Sequence, residues 1–235
     1  MSPPNPLSIS VTSAFSVPVI ETAMPGCEDL NRRLRDLFLS WEQSTNQKQS
    51  SVPTAVIKVG VYESSFDLFS RPEPDVQTLR NFCLNTLGHV ISQLSRYSDK
   101  DMQGLRIYEH SWYHVTRHAG YTAQHNHPMA SWSGVYCVDP GNEVPQSINS
   151  GALRFLDTRG SAGMYVDSGN AHLNPPFGFG ALAYFLVPGQ LLVFPSYLMH
   201  EVAPYFGQRE RITVAFNAWV REAGTAVDEP FVRTR

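Results

Sequence analysis

From Leu105 onward the sequence is written in short segments whose apolar residues fall on every second position. That period constrains the fold more than any other feature. An extended chain sends successive side chains to opposite faces, so each such segment builds part of a half-buried sheet. Leu105–Arg117, Trp132–Val138, Gly151–Leu156, Gln190–Phe194, Glu201–Tyr205 and Arg211–Val220 read as strands, with Gly, Pro and Asn between them. Ahead of them, Ala14–Glu21 reads as an edge strand, where Pro18 is tolerable because its missing N–H need not face a partner. Val56–Val61 is a further β-branched run. Glu28–Ser44 reads as a helix, with Leu30, Leu34, Leu37, Phe38 and Trp41 recurring at three and four. Asp75–Tyr97 reads as a second, with Leu79, Phe82, Cys83, Leu87, Val90, Ile91 and Leu94 on one face and Asp75 expected as its N-cap. Helices first and an antiparallel unit second predict a mainly-β fold with flanking helices, a jelly-roll or cupin-like barrel built mainly from 105–220.

The 235 residues suit one domain over 14–235 after a loose segment at 1–13. A net charge of −3 with no basic stripe argues against a nucleic-acid partner. The most apolar window, Phe177–Pro195, is interrupted by Pro188, Gly189 and Gln190, so it reads as two buried strands and not as a membrane span. No signal peptide is evident at the N-terminus. Cys27, Cys83 and Cys137 form no CxxC pair, which supports neither a zinc ribbon nor a disulfide framework. A reduced, cytoplasmic setting is expected. Thr158–Pro188 is rich in Gly, Asn and Pro and reads as a long loop, either a lid or a solvated insertion, with Ala181–Val187 as a possible strand inside it.

Chemistry concentrates in the histidines. In Gln124-His125-Asn126-His127-Pro128, two imidazoles separated by one residue project to the same face of an extended chain and can grip one metal ion. His200 follows the apolar run Leu191–Phe194 and a turn at Pro195, which places it at a barrel mouth inside an apolar wall. Arg211 opens an alternating strand on which Thr213, Ala215 and Asn217 share its face. A guanidinium inside a barrel is costly unless it meets an anion, and a carboxylate gripped at two points is the natural partner. The alternative is a strand-end arginine paired with Glu201 or Glu210; Arg209 suits that role better.

These stretches together resemble the iron(II)- and 2-oxoglutarate-dependent oxygenases. They are similar to a small branch with the order H-x-H-P, S-G-V-Y-Y, S-G-x-L-x-F, G-x-L-x-x-F-P-S-x-x-x-H and E-R-I-x-x-x-F-N. Here these read His125–Pro128, Ser133–Cys137, Ser150–Phe155, Gly189–His200 and Glu210–Asn217. Phe15–Ile20 and Tyr62–Phe69 resemble two earlier blocks, so the likeness runs from about residue 14 to residue 220. It implies a double-stranded β-helix holding one Fe(II), with 2-oxoglutarate as co-substrate and O₂ as oxidant, releasing CO₂ and succinate. His125, His127 and His200 would be the metal ligands and catalytic centre, and Arg211 would hold the distal carboxylate of the co-substrate; Thr213, on the same strand face, is expected to add a hydroxyl hydrogen bond to it. Two departures matter. His127 stands where the family usually has a carboxylate, which makes the site one negative charge poorer, unless Asp139 or Glu201 completes it. Cys137 stands where the branch has a tyrosine; either Ser133, four residues back on the same face, takes over part of that contact, or the pocket is wider.

Tyr113, Gln124, Asn217, Trp219 and His172 are candidate substrate contacts. The expected substrate is a small molecule, such as an amino acid or a secondary-metabolite precursor, undergoing hydroxylation, desaturation or ring closure. The chain is expected to be a monomer or homodimer with no membrane partner. The competing reading is a three-histidine metal enzyme that does not use 2-oxoglutarate, a cupin dioxygenase or zinc hydrolase; a catalytically dead binding module is a third.

Overall fold

The computed structural model describes residues 9–44, 56–142, 149–161 and 163–223. Expectations for residues 1–8 lie outside this range. Strand β1 (Ile20–Ala23) precedes helix α1 (Glu28–Gln43). Strand β2 (Lys58–Glu63) and a 3₁₀ turn (Leu68–Ser70) lead to α2 (Pro74–Leu94) and α3 (Asp99–Gly104). The barrel strands follow: β3 (Leu105–His125), β4 (Trp132–Asp139), β5 (Leu153–Leu156), β6 (Ala181–Tyr184), β7 (Gln190–Pro195), β8 (His200–Val202) and β9 (Arg211–Glu222). None of the helices among the described residues is long and apolar enough to cross a membrane.

The strands form one antiparallel sheet in the order β1-β7-β4-β9-β3-β8-β5-β6, with β2 added to β3. This sheet is folded over on itself because β3 belongs to both halves. Its first part, Leu105–Thr116, pairs with β9, and its last part pairs with β8 through Thr122↔Val202 and His125↔His200. The bend falls where Ala119 adopts φ 61° and where Gly60 of β2 crosses Gly120. A Cβ on Gly120 would lie 2.6 Å from the Gly60 carbonyl oxygen, so only a glycine permits this crossing. The result is the jelly-roll half-barrel of a double-stranded β-helix, as the strand pattern implied.

Alternation sorts the strand residues between two cores. On β9, Val214, Phe216 and Ala218 face outward to meet Leu34 and Phe38 of α1 and Leu79 and Leu87 of α2, all fully or almost fully buried. On β7, Leu192 and Phe194 face inward and join Cys137, Leu153, Phe155, Leu186 and Leu198. Val17 and Val19 of the N-terminal segment pack against this inner cluster, closing the side between the two sheet edges. Each large side chain so buried stabilises the fold by roughly 1.5–3 kcal/mol.

Several boundaries differ from the sequence reading. The edge strand begins at Ile20, after Pro18. Helix α2 starts at Pro74 and ends at Leu94, and Asp75 is not its N-cap. Glu73 occupies that position without a side-chain bond, and Asp75 instead pairs with Arg33 of α1 at 2.9 Å. An interhelical ion pair thus outcompetes the local cap. Helix α3 was not read from the sequence, although its capping box was visible as Ser98-x-x-Asp101; the Asp101 carboxylate accepts from the Ser98 N–H at 2.9 Å.

Candidate active site

His125 ends β3 and faces His200, the first residue of β8, across the ladder. His127 lies beyond the strand, in the turn leading to β4, and its backbone N–H donates to Ser196 O at 2.9 Å. The turn, not an extended chain, therefore aims the second ring. The three rings converge: centroids lie 5.0 Å apart for His125 and His127, 4.2 Å for His125 and His200, and 5.2 Å for His127 and His200. One nitrogen from each lies within 4.8 Å of the others, and these three form the one group of three or more potential ligands found among the described residues.

The rings are prepared as neutral ligands. His125 Nδ1–H donates to Ala123 O and His200 Nδ1–H to Leu198 O, each at 2.8 Å. That fixes the tautomer and leaves each Nε2 lone pair for a cation. Burial, and then the neighbouring histidines, push His127 down to about 2 and His125 down to about 4; burial also lowers His200. Phe194 and Trp112 wall the cluster, with ring centroids 5.0 Å from His200 and 5.9 Å from His127.

Arg211 lines the same cavity and is only 4 % exposed. Among the described residues, no carboxylate, hydroxyl or carbonyl bonds its guanidinium. Burial pulls its pKa down from the usual arginine value. Gly151 makes space for it: a Cβ there would sit 3.3 Å from Arg211 Cδ. Thr213, one step along the same face, is buried and lines the cavity, and its hydroxyl also has no described partner. The strand-end role falls to Arg209, which donates to Asp139 at 2.9 Å. Asp139 is further held by Arg35 at 3.3 Å, and Glu201 accepts from Arg154 at 2.8 Å. Neither acid joins the histidines, so among the described residues this group includes no carboxylate.

The remaining candidates separate. Ser133 and Asn217 line the cavity opposite each other on β4 and β9. Ser133 does not face Arg211: Cys137 sits beside Thr213, while the Ser133 hydroxyl is engaged with Ser196 at 2.8 Å and Asn217 at 2.7 Å. Tyr113 points the other way and stacks on Phe38 at 4.4 Å in the helix-facing core. The alternation that puts Trp112 and His114 inside puts Tyr113 outside. Gln124 and His172 are exposed. Trp219 is half-buried and donates to Met129 O near the turn carrying His127, outside the cavity lining. His114, whose spacing of four from His110 and His118 carries no function in a strand, lines the cavity. Its Nε2 lies 2.8 Å from Glu63 Oε2 and 3.1 Å from Trp112 Nε1, and Lys58 Nζ lies 2.7 Å from the same carboxylate oxygen. Its two-residue spacing from Trp112 was the available clue.

A mainly antiparallel half-barrel thus brings three histidines and a buried arginine to one cavity. Residues 110–217 match the family model described as "Putative 2OG-Fe(II) oxygenase". That stretch is similar to the 2OG-Fe(II) oxygenases, a family for which Fe(II) and 2-oxoglutarate are typical. Solved structures share the fold. A Pseudomonas putida prolyl-4-hydroxylase is 19 % identical with a TM-score of 0.55, covering 88 % of this chain and 93 % of its own. A prolyl hydroxylase from Trichoplax adhaerens, in complex with a hypoxia inducible factor peptide fragment, is 12 % identical with a TM-score of 0.56, covering 88 % and 84 %. HygX from Streptomyces hygroscopicus, with nickel and 2-oxoglutarate bound, is 10 % identical with a TM-score of 0.52, covering 89 % and 84 %. No curated protein matches at the sequence level.

Proposed function

We propose that this enzyme binds Fe(II) through His125, His127 and His200, binds 2-oxoglutarate through Arg211 and Thr213, and oxidises an unactivated C–H bond of a small molecule. The observation that carries the reading is the buried Arg211, in one cavity with three neutral imidazoles and with no described anionic partner. A cation so placed calls for an anion from outside the chain. A dicarboxylate that reaches the metal with one end and Arg211 with the other meets this demand. The competing reading, a metal enzyme without 2-oxoglutarate, gives Arg211 no task.

The donor chemistry fits the metal. Fe(II) accepts imidazole nitrogen, so His125, His127 and His200 would hold it. The bound iron with 2-oxoglutarate and O₂ supplies the oxidising power, releasing CO₂ and succinate. The chain's own share is narrower. The carbonyls of Ala123 and Leu198 keep two rings neutral and aimed. Arg211 and the Thr213 hydroxyl orient the distal carboxylate of the co-substrate. Phe194, Phe155 and Trp112 exclude water from the reacting side. An amino acid or a secondary-metabolite precursor is the substrate class in view, with hydroxylation, desaturation or ring closure as outcomes.

The test is anaerobic titration of the protein with Fe(II) and then with 2-oxoglutarate. A visible metal-to-ligand charge-transfer band supports the reading. Metal uptake without the band favours the competing enzyme, and absence of metal uptake favours a binding module.

A further inference from the structure

A buried relay of two serines fixes which way the Asn217 amide points, and with it the kind of substrate group the cavity receives. Ser196 is fully buried and Ser133 nearly so. Ser196 Oγ lies 2.8 Å from Ser133 Oγ, and Ser133 Oγ lies 2.7 Å from Asn217 Oδ1. Two hydroxyls carry two protons and need two acceptors. If Ser196 donates to Ser133 and Ser133 donates to the amide oxygen, both are satisfied. Turning the amide over reverses the chain and strands the Ser196 proton in a dry interior with no other described acceptor, which is costly. The relay therefore holds Oδ1 against the sheet and leaves both Nδ2 hydrogens for the cavity, where no described residue accepts them.

Asn217 cannot serve the anion at Arg211. The two lie six residues apart on one face of β9, about 20 Å along an extended strand. That is well beyond the span of a five-carbon diacid. The Asn217 end instead neighbours the turn of His127: the His127 N–H bonds the carbonyl of the same Ser196 that starts the relay, and Trp112, which pairs with Ala215 beside Asn217, packs on His127. Resting on the functional reading above, we infer that Asn217 donates to a carbonyl-type oxygen of the substrate, a carboxylate or an amide, and positions its carbon chain at the metal. Ser133 and Ser196 are positioning residues for that contact.

The test uses the Zn(II)-loaded protein with 2-oxoglutarate and ligand-detected NMR. The probes are matched sets on one carbon skeleton: L-leucine, L-leucinamide and isopentylamine, with parallel sets on the valine, proline and lysine skeletons. The acids or amides of at least one set should bind at least 10-fold more tightly than the amine; which of the two wins distinguishes a free acid from a peptide-like substrate. Asn217→Asp, which keeps the shape but removes the donors, should weaken that binding by 30-fold or more while 2-oxoglutarate affinity stays within about 2-fold. Ser196→Ala should weaken it several-fold with unchanged thermal stability. Equal binding of the amines, wild-type affinity in Asn217→Asp, or no binding of any acid or amide overturns the inference alone. Failure of the wild-type protein to take up 2-oxoglutarate overturns the functional reading, and this inference with it.

Discussion

Replacing Arg211 by alanine separates the two ligands of the proposed site. Metal binding should persist, because the three imidazoles are untouched, while 2-oxoglutarate affinity should fall by about 100-fold, the scale expected for losing charge-assisted bonds in a dry cavity. Calorimetry on the metal-loaded protein checks both halves. His127→Asp tests the ligand set from the other side. A carboxylate would restore a negative charge beside the cation and should raise Fe(II) or Co(II) affinity by about 10-fold or more; an unchanged affinity would place His127 outside the coordination sphere. Glu63 offers a pH test clear of the metal ligands. Burial would raise its pKa, but the bonds from His114 and Lys58 win and bring it down from 4.5 to about 2. A carboxylate lowered in the folded state stabilises it above the unfolded value and loses that contribution as pH falls through the folded one. Stability should therefore drop by on the order of 2 kcal/mol between pH 4.5 and pH 2. Urea unfolding of Glu63→Gln across that range should show a flatter profile than the wild type. At this scale the sequence was partly legible. His125, His127, His200 and Arg211 stood out through their residue types and spacing, but only the resemblance joined them into one site. Tyr113 misled because aromatic residues suit a core as well as a pocket, and only the phase of β3 decides between them.

The elements show why boundaries were harder to read than the strands themselves. Period-two alternation located β4, β7 and β9 to within a residue or two, since each buries both faces at fixed positions. It could not show that β3 runs unbroken to His125, because the bend at Ala119–Gly120 depends on β2 crossing there. Nor could it place Asp75, whose partner Arg33 is 42 residues away. Close packing between β4 and β9 gives a stability prediction. Gly134 lies against the Phe216 ring, and an added Cβ would collide with it. Gly134→Ala should destabilise the protein by about 1–3 kcal/mol through overpacking, read as a lowered midpoint in thermal unfolding. A midpoint equal to wild type would mean that the Phe216 ring yields freely.

For the whole molecule, the site and the fold support one another. Two ligands sit at the end of β3 and just beyond it, and the third opens β8, so a cation would tie two strands whose ladder spans only Thr122↔Val202 and His125↔His200. A ligand at 100 times its dissociation constant adds about 2.7 kcal/mol to the folded state. For a chain of this size that corresponds to roughly 5–10 °C. Calorimetric scans with Fe(II) and 2-oxoglutarate should show such a rise, and the His200→Ala protein should not. The jelly-roll barrel was legible at this scale from the run of strands after the helices, and its double-stranded β-helix form from the family resemblance. The closure of its open side was not, because it depends on a stretch of chain with little pattern of its own. There Val17 and Val19 press on the inner cluster from outside the sheet. The stretch around Val17 and Val19 thus acts as a bung: a protein trimmed past Val19 should still assemble its walls, yet leak water to the proposed metal site and squander 2-oxoglutarate without touching a substrate.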